Sequence, residues 1–304
     1  MLRFRGFILS GCLLTSFNSA VCADPIPPIP VKAATIAMSV GTIPLRQELT
    51  ELKAEMQSLI AKYPSLSPGI FVMDVETGDY VDINGDRVFP AASTIKLPIL
   101  LAFFEAVDAG NIDLNEILTV DRRSIAKGSG SLQYSLGRKL TALATATQMI
   151  TISDNTATNM IIDRLDGIES INSRFQSWGL KHTYIRNRLG DFSGTNKTTP
   201  ADLVRVAALL AKHQVIGEAS RVQALDILTA TENRKLLVAG LGEGASIAHK
   251  TGDIGFVIGD AGIVSKPDGK QYLIGVFVIR PHDSLKARYL IQQLSRSAYN
   301  YLLQ

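Results

Sequence analysis

The chain has 304 residues, 46% hydrophobic and 19% charged, long enough to bury a core of its own without a covalent staple. Its formal charge is +3, with Lys, Arg, Asp and Glu intermixed and no basic block, so nucleic-acid binding has no electrostatic support. Beyond the N-terminal segment no apolar run approaches the roughly 18 residues of a membrane-spanning helix.

Residues 1–23 read as a secretory signal. Arg3 and Arg5 form its positive end, Phe7 to Phe17 its apolar core, and Val21-Cys22-Ala23 a small-residue cleavage site before Asp24. The mature chain is therefore expected in the periplasm or outside the cell. Leu9-Ser10-Gly11-Cys12 offers an alternative, a lipid-anchored form through Cys12. Both cysteines, Cys12 and Cys22, fall inside this segment, so no disulfide, thiol nucleophile or cysteine metal site is expected after cleavage. His182, His213, His249 and His282 lack metal-ligand spacing, although His249 adjoins a lysine singled out below. Neither a metal nor another cofactor is expected.

Residues 24–44 are proline-rich and read as a flexible linker to a folded domain over 45–304. Leu45 to Lys62 carries apolar residues at helical spacing. Ile70–Met73 and Tyr80–Ile83 flank Glu76-Thr77-Gly78-Asp79 and predict a hairpin. An apolar stretch from Leu97 to Val107 has helical length, and Leu114 to Leu180 reads as mainly helical, most clearly at Leu140–Ile152 and Ala157–Leu165. A polar loop, Arg186 to Lys197, precedes a helix begun by Thr198-Thr199-Pro200, and Arg221 to Leu237 reads as another. Strands are expected at Ala245–Lys250, Ala261–Ser265 and Gln271–Val278, then a last helix over Ser284–Leu303. Strands at both ends with helices between predict an α/β fold: an antiparallel sheet flanked by helices, with an inserted all-helical lobe. The α/β lobe would comprise 45–92 and 221–304, the helical lobe about 93–220, with a cleft between them.

Three short strings carry the chemistry: Ser93-Thr94-Ile95-Lys96, Ser153-Asp154-Asn155 and Lys250-Thr251-Gly252. Ser93 at a helix start is a nucleophile candidate, and Lys96, three residues on, shares its helix face and can take its proton if burial depresses the amine's pKa. Ser153 can pass a proton to a leaving nitrogen. Asn155 can hold a substrate amide, and Lys250 with Thr251 suits a substrate carboxylate. Gly252 lets a strand approach a ligand closely. Taken singly, Asp154 and Asn155 read more readily as helix-cap and turn residues, and only the ordered set of strings outweighs that reading. A second S-x-x-K, Ser124 to Lys127, lies in a polar, glycine-bearing stretch and reads as surface.

The three strings in this order resemble the class A serine β-lactamases and, more distantly, the penicillin-binding DD-peptidases. The resemblance runs over residues 45–303 and includes Ser153 to Asn159 and Thr198-Thr199-Pro200, which closes the family's omega loop. It implies a secreted, monomeric serine hydrolase that opens the β-lactam ring through an acyl-enzyme on Ser93, with the backbone N–H of Asp253 as second oxyanion donor. The omega loop departs from the pattern. Class A enzymes carry an E-x-x-L-N string whose glutamate activates the deacylating water, whereas Arg186 to Lys197 contains no glutamate. Asp191 is its only carboxylate, either substituting for the glutamate or pairing with Arg186 or Arg188, and Asn196 is a further omega-loop candidate. An arginine expected one strand beyond the K-T-G is also missing, with Arg234 or Arg280 as possible replacements. A DD-peptidase acting on D-alanyl-D-alanine peptides of peptidoglycan, or a β-lactam-binding sensor without turnover, therefore stays open.

Overall fold

The computed structural model describes residues 39–303. The readings of residues 1–23, Cys12 and Cys22, and of most of the linker, lie outside the described residues.

Five strands form one antiparallel sheet. They are β1 (Ser67–Asp74), β2 (Tyr80–Ile83), β3 (Ser246–Asp253), β4 (Val257–Ser265) and β5 (Gln271–Ile279), in the spatial order β2-β1-β5-β4-β3. The expected mixture of N- and C-terminal strands is present. The central strand β5 reads Tyr272-Leu273-Ile274-Gly275-Val276-Phe277-Val278 and is buried throughout, as a strand covered on both faces must be. At the margin, β2 alternates half-buried and buried residues.

Helices α1 (Thr50–Ala61) and α8 (Leu285–Leu303) cover one face, over a core that includes Leu52, Met56, Ile274, Leu290 and Leu294. On the other face lie α2 (Lys96–Asp108) and α6 (Pro200–Ala211), over Phe89, Phe103, Leu203 and Phe277. Helices α3 (Ala142–Thr151), α4 (Asn155–Arg164), α5 (Gly167–Ser177) and α7 (Glu218–Thr229) continue that second core. Among the described residues no helix is long and apolar enough to cross a membrane.

Several boundaries move. The expected helix from Leu45 begins only at Thr50, because the backbone of Arg46 to Leu49 bonds Gly78 and Tyr80 beside the β2 edge. The linker expected to end at Pro44 already folds at Ser39: Ser39–Val40 pairs with Ile43–Pro44, and Val40 and Ile43 are buried. The stretch 114–180 is less helical than expected, since Ile117–Thr119 and Lys139–Thr141 pair as a small hairpin. Helix α6, assigned to the helical lobe, packs instead on the sheet. Gly275 permits this, because a Cβ there would lie 2.7 Å from the Pro200 carbonyl oxygen. Thr199 caps α6 by accepting from the Asp202 N–H, and Pro200 at the first turn needs no donor.

Candidate active site

Ser93 sits in a single 3-10 turn, Ala92–Ile95, that runs directly into α2. Ala92 has φ +48°, a left-handed conformation that costs an L-residue roughly 1–3 kcal/mol and marks the turn as held in place by its surroundings. Two segments hold it. Ala91 N–H donates to the Asn196 carbonyl at 2.8 Å, and β3 presses from the other side at Gly252. A Cβ on Gly252 would lie 2.9 Å from Ser93 N and 3.0 Å from Ala92 Cβ. The glycine thus gives the strand access to the nucleophile turn, where the sequence suggested access to a ligand.

One turn on, Lys96 is wholly buried. Its Nζ reaches the Ser153 carbonyl at 2.7 Å, Ser153 Oγ at 3.1 Å and Asn155 Oδ1 at 2.8 Å, occupying the three donors of an ammonium. Burial pushes its pKa well below the usual lysine value and the Lys250 charge pushes it further, while Asp154 acts in the opposite direction. Ser153 joins α3 to α4 at φ +59°, and this reversal brings both its carbonyl and its hydroxyl to Lys96. Asn155 is engaged at both ends, since its Nδ2 donates to the Lys127 carbonyl. One N–H is left for a ligand, and the amide's first task is to hold Lys96.

Asp154 is the structural member of its string. Fully buried, it caps α4 through the Ala157 N–H at 2.8 Å and takes the Leu132 N–H at 2.9 Å, tying down the 129–132 loop. Asp154→Ala removes the cap and leaves the Leu132 donor unpaired, so a loss of about 2–4 kcal/mol is expected. Thermal unfolding should register it as a fall of roughly 5–15 °C.

Lys250 and Thr251 lie on β3 along a cleft of about 460 Å³ that also includes Ser93, Ser153, Asn233 and Arg288. Burial brings the Lys250 pKa down to about 8, with Asp260 opposing the shift. Asn233 Nδ2 approaches Thr251 Oγ1 at 3.4 Å. Arg280 is not part of the cleft. Its guanidinium is divided among the Gly255 carbonyl, the Ser284 carbonyl and Asp253 Oδ1, bracing the turn after β3. Nor does Arg234 line it. The arginine at the cleft is Arg288, from α8, with a buried Nε that has no partner among the described residues. No local pattern announces it, because α8 is far from the K-T-G in sequence.

A second recess, about 40 Å³, separates Ser93 from the omega loop and is lined by Asn155, Leu189, Asp191 and Phe192. Asp191 points its carboxylate back into its own loop, with Oδ1 accepting from Thr195 Oγ1 at 2.9 Å and Oδ2 from Asn196 N–H at 2.7 Å. It does brace the loop, but not through an arginine: Arg188 pairs with Asp163 and Arg186 lies over the Tyr184 ring. Asn196 is buried, and its Oδ1 accepts from the Arg186 and Asn187 N–H groups. Asp253 lines both the cleft and the recess. Ser124 is buried against Asp121, whose carboxyl its hydroxyl helps hold down at about 2, and Lys127 lies outside any helix. Among the described residues no cluster of His, Cys, Asp and Glu is arranged to hold a metal.

Comparison with known proteins identifies the family. A model of the beta-lactamase enzyme family matches residues 51–302. The chain belongs to that family. It is a serine amide hydrolase of the class A-like branch. Of curated relatives, beta-lactamase CARB-4 from Pseudomonas aeruginosa is 27% identical over 62% of this chain and 68% of its own length. The extended-spectrum beta-lactamase PER-1, also from Pseudomonas aeruginosa, is 24% identical over 90% of this chain and 95% of its own. Among solved structures, PBP-A is 47% identical with a TM-score of 0.83, covering 86% of this family member and 98% of PBP-A. A point mutant of PBP-A, 46% identical over 85% of this chain and 98% of its own, with a TM-score of 0.83, was solved as an acyl-enzyme complex with penicillin G.

Proposed function

We propose that this protein opens β-lactam rings by acyl transfer to Ser93 and that release of the acyl group to water is its slow step. Lys96 carries the reading: an amine removed from water, with a depressed pKa, one turn from Ser93 and 3.1 Å from Ser153 Oγ. As a neutral amine, Lys96 takes the Ser93 proton while Oγ bonds to the lactam carbonyl carbon. The ring C–N bond then breaks, and the proton passes through Ser153 to the departing nitrogen. The N–H groups of Ser93 and Asp253 meet the oxyanion, with the start of α2 adding a favourable field. Lys250, Thr251 and Arg288 receive the substrate's carboxylate. Likeness to CARB-4 and PER-1 supports a β-lactam substrate. The export signal read in residues 1–23 supports a location outside the cytoplasm for this chemistry.

Hydrolysis of the acyl-enzyme needs water to add to the ester carbon as the bond to Ser93 Oγ breaks and a proton returns to that oxygen. The only omega-loop carboxylate, Asp191, is engaged by Thr195 and Asn196. A second reading, a peptidase of D-alanyl-D-alanine ends that penicillins trap, rests on that engagement alone.

The test mixes residues 24–304 with excess chromogenic cephalosporin and follows absorbance and intact mass together. A stoichiometric burst followed by slow turnover is the expected result. Fast turnover without adduct would mark an efficient β-lactamase with a water-activating group elsewhere. A burst with a permanent adduct would give the lead to the peptidase or sensor readings, and neither adduct nor turnover would overturn all of them.

A further inference from the structure

The recess beside Ser93 has an aromatic lip. Phe192, in the omega loop, is 55% exposed, and among the described residues no other exposed large hydrophobic side chain lines either the cleft or the recess. A lone phenylalanine on a surface needs no explanation, but one set beside a nucleophile does. Its backbone is held on both sides. Phe192 N–H donates to the Gly190 carbonyl at 3.0 Å and Gly194 N–H to the Asp191 carbonyl at 3.2 Å. The Asp191 carboxylate ties the same turn to Thr195 and Asn196.

The ring reaches across to the facing loop. Gly128 has φ +107°, and a Cβ there would stand 2.9 Å from Phe192 Cζ and 2.8 Å from Asn155 Nδ2. The glycine makes room for both, so the tip of the ring and the Asn155 amide meet at one place. One Asn155 Nδ2 N–H donates to the Lys127 carbonyl, and the other is left for a ligand. A substrate's side-chain amide carbonyl that accepts it therefore lies next to the Phe192 ring.

What lies beyond that amide follows from the substrate's shape, and the inference rests on the reading that a β-lactam acylates Ser93. Such a substrate carries its carboxylate on the side of the ring nitrogen and its acylamino side chain on the carbon next to the lactam carbonyl, at the other end. With the carboxylate on Lys250 and Thr251 and the carbonyl at Ser93, the side chain crosses Ser93 toward the recess, which shares Ser93 with the cleft. The recess measures about 40 Å³ against about 460 Å³ for the cleft. It cannot enclose an aromatic ring, since a dry cavity that holds benzene measures about 150 Å³. A ring at the end of the side chain is left outside, on the open face of Phe192, where offset stacking is favourable. We propose that Phe192 is a specificity-determining residue that receives the outer end of the side chain, so that the site prefers β-lactams with an aryl side chain.

The experiment compares acylation by benzylpenicillin and by 6-acetamidopenicillanic acid, which lacks only the phenyl ring, in the wild type, Phe192→Ala and Phe192→Tyr, followed by intact mass. The preference for benzylpenicillin should fall about three- to tenfold in Phe192→Ala and be kept in Phe192→Tyr. An unchanged preference in Phe192→Ala, whether or not both rates fall together, would overturn the proposal and leave the ring a brace of the loop. A second readout needs no acylation. In Ser93→Ala labelled with 13C-phenylalanine, the Phe192 ring signal, assigned by its loss in Phe192→Tyr, should shift on adding benzylpenicillin and much less with 6-acetamidopenicillanic acid. Failure of both penicillins to acylate the wild type would instead sink the β-lactam reading, and the ring signal then tests Phe192 by itself. An unmoved signal overturns the proposal in either case.

Discussion

Ser93→Ala is expected to abolish covalent labelling by penicillin, with ring opening reduced by a factor on the order of 10³ to 10⁶, the range seen when a serine nucleophile is removed. The fold should be unaffected, because the hydroxyl lies at the cleft and the turn is held through Ala91, Asn196 and Gly252. Ser124→Ala is the matched control. It has the same S-x-x-K spacing, but its hydroxyl is buried on Asp121 and no lysine amine is brought to it by a helix turn. Intact mass after penicillin treatment should show full adduct on Ser124→Ala and none on Ser93→Ala. An adduct persisting on Ser93→Ala would remove the nucleophile assignment.

The second large effect concerns Lys96. Loss of its amine should cost acylation roughly 10² to 10⁴ in rate, the usual worth of a positioned general base. Lys96→Arg should be no better than Lys96→Met, because a guanidinium does not give up its proton at any working pH. The pH profile follows from the two buried amines, and its signs are opposite. Lys96 acts when neutral, so acylation rises with pH as Lys96 loses its proton, earlier than an ordinary lysine because burial and the Lys250 charge lower its pKa. Lys250 acts when charged, so acylation falls as pH passes about 8. The wild-type rate should therefore be bell-shaped, the two limbs belonging to the coupled pair. Lys250→Arg should straighten the alkaline limb and leave the acid limb in place. Pre-steady-state acylation measured between about pH 5 and pH 10 reads both limbs. A flat acid limb in the wild type would argue that Lys96 is not the base.

Much of the site is legible along the chain because its chemistry is local. Ser93 and Lys96 are three apart on one turn, Asp154 caps the helix that follows it, and Lys250 to Gly252 are consecutive on one strand. The sheet assembled from both ends of the chain is legible for a similar reason, since a strand buried on both faces, such as β5, must be apolar along its whole length. The omega loop is legible only as a composition, one aspartate and no glutamate. That composition leaves open whether Asp191 faces Ser93 or its own loop.

By itself, then, the sequence determined which functional groups are present and in what order, because residue type and short spacing set nucleophile, amine and cap. Tertiary structure alone decided what those groups are free to do. Asp191 is engaged by Thr195 and Asn196, Asn155 is shared between Lys96 and Lys127, and Gly252 serves the nucleophile turn. Arg288 reaches the cleft from the last helix, and Asp260 meets His249 behind Lys250. Asp191 finds its partners within its own loop, whereas the others join segments well separated in the chain, and in neither case does local propensity encode the burial or the hydrogen-bond partner.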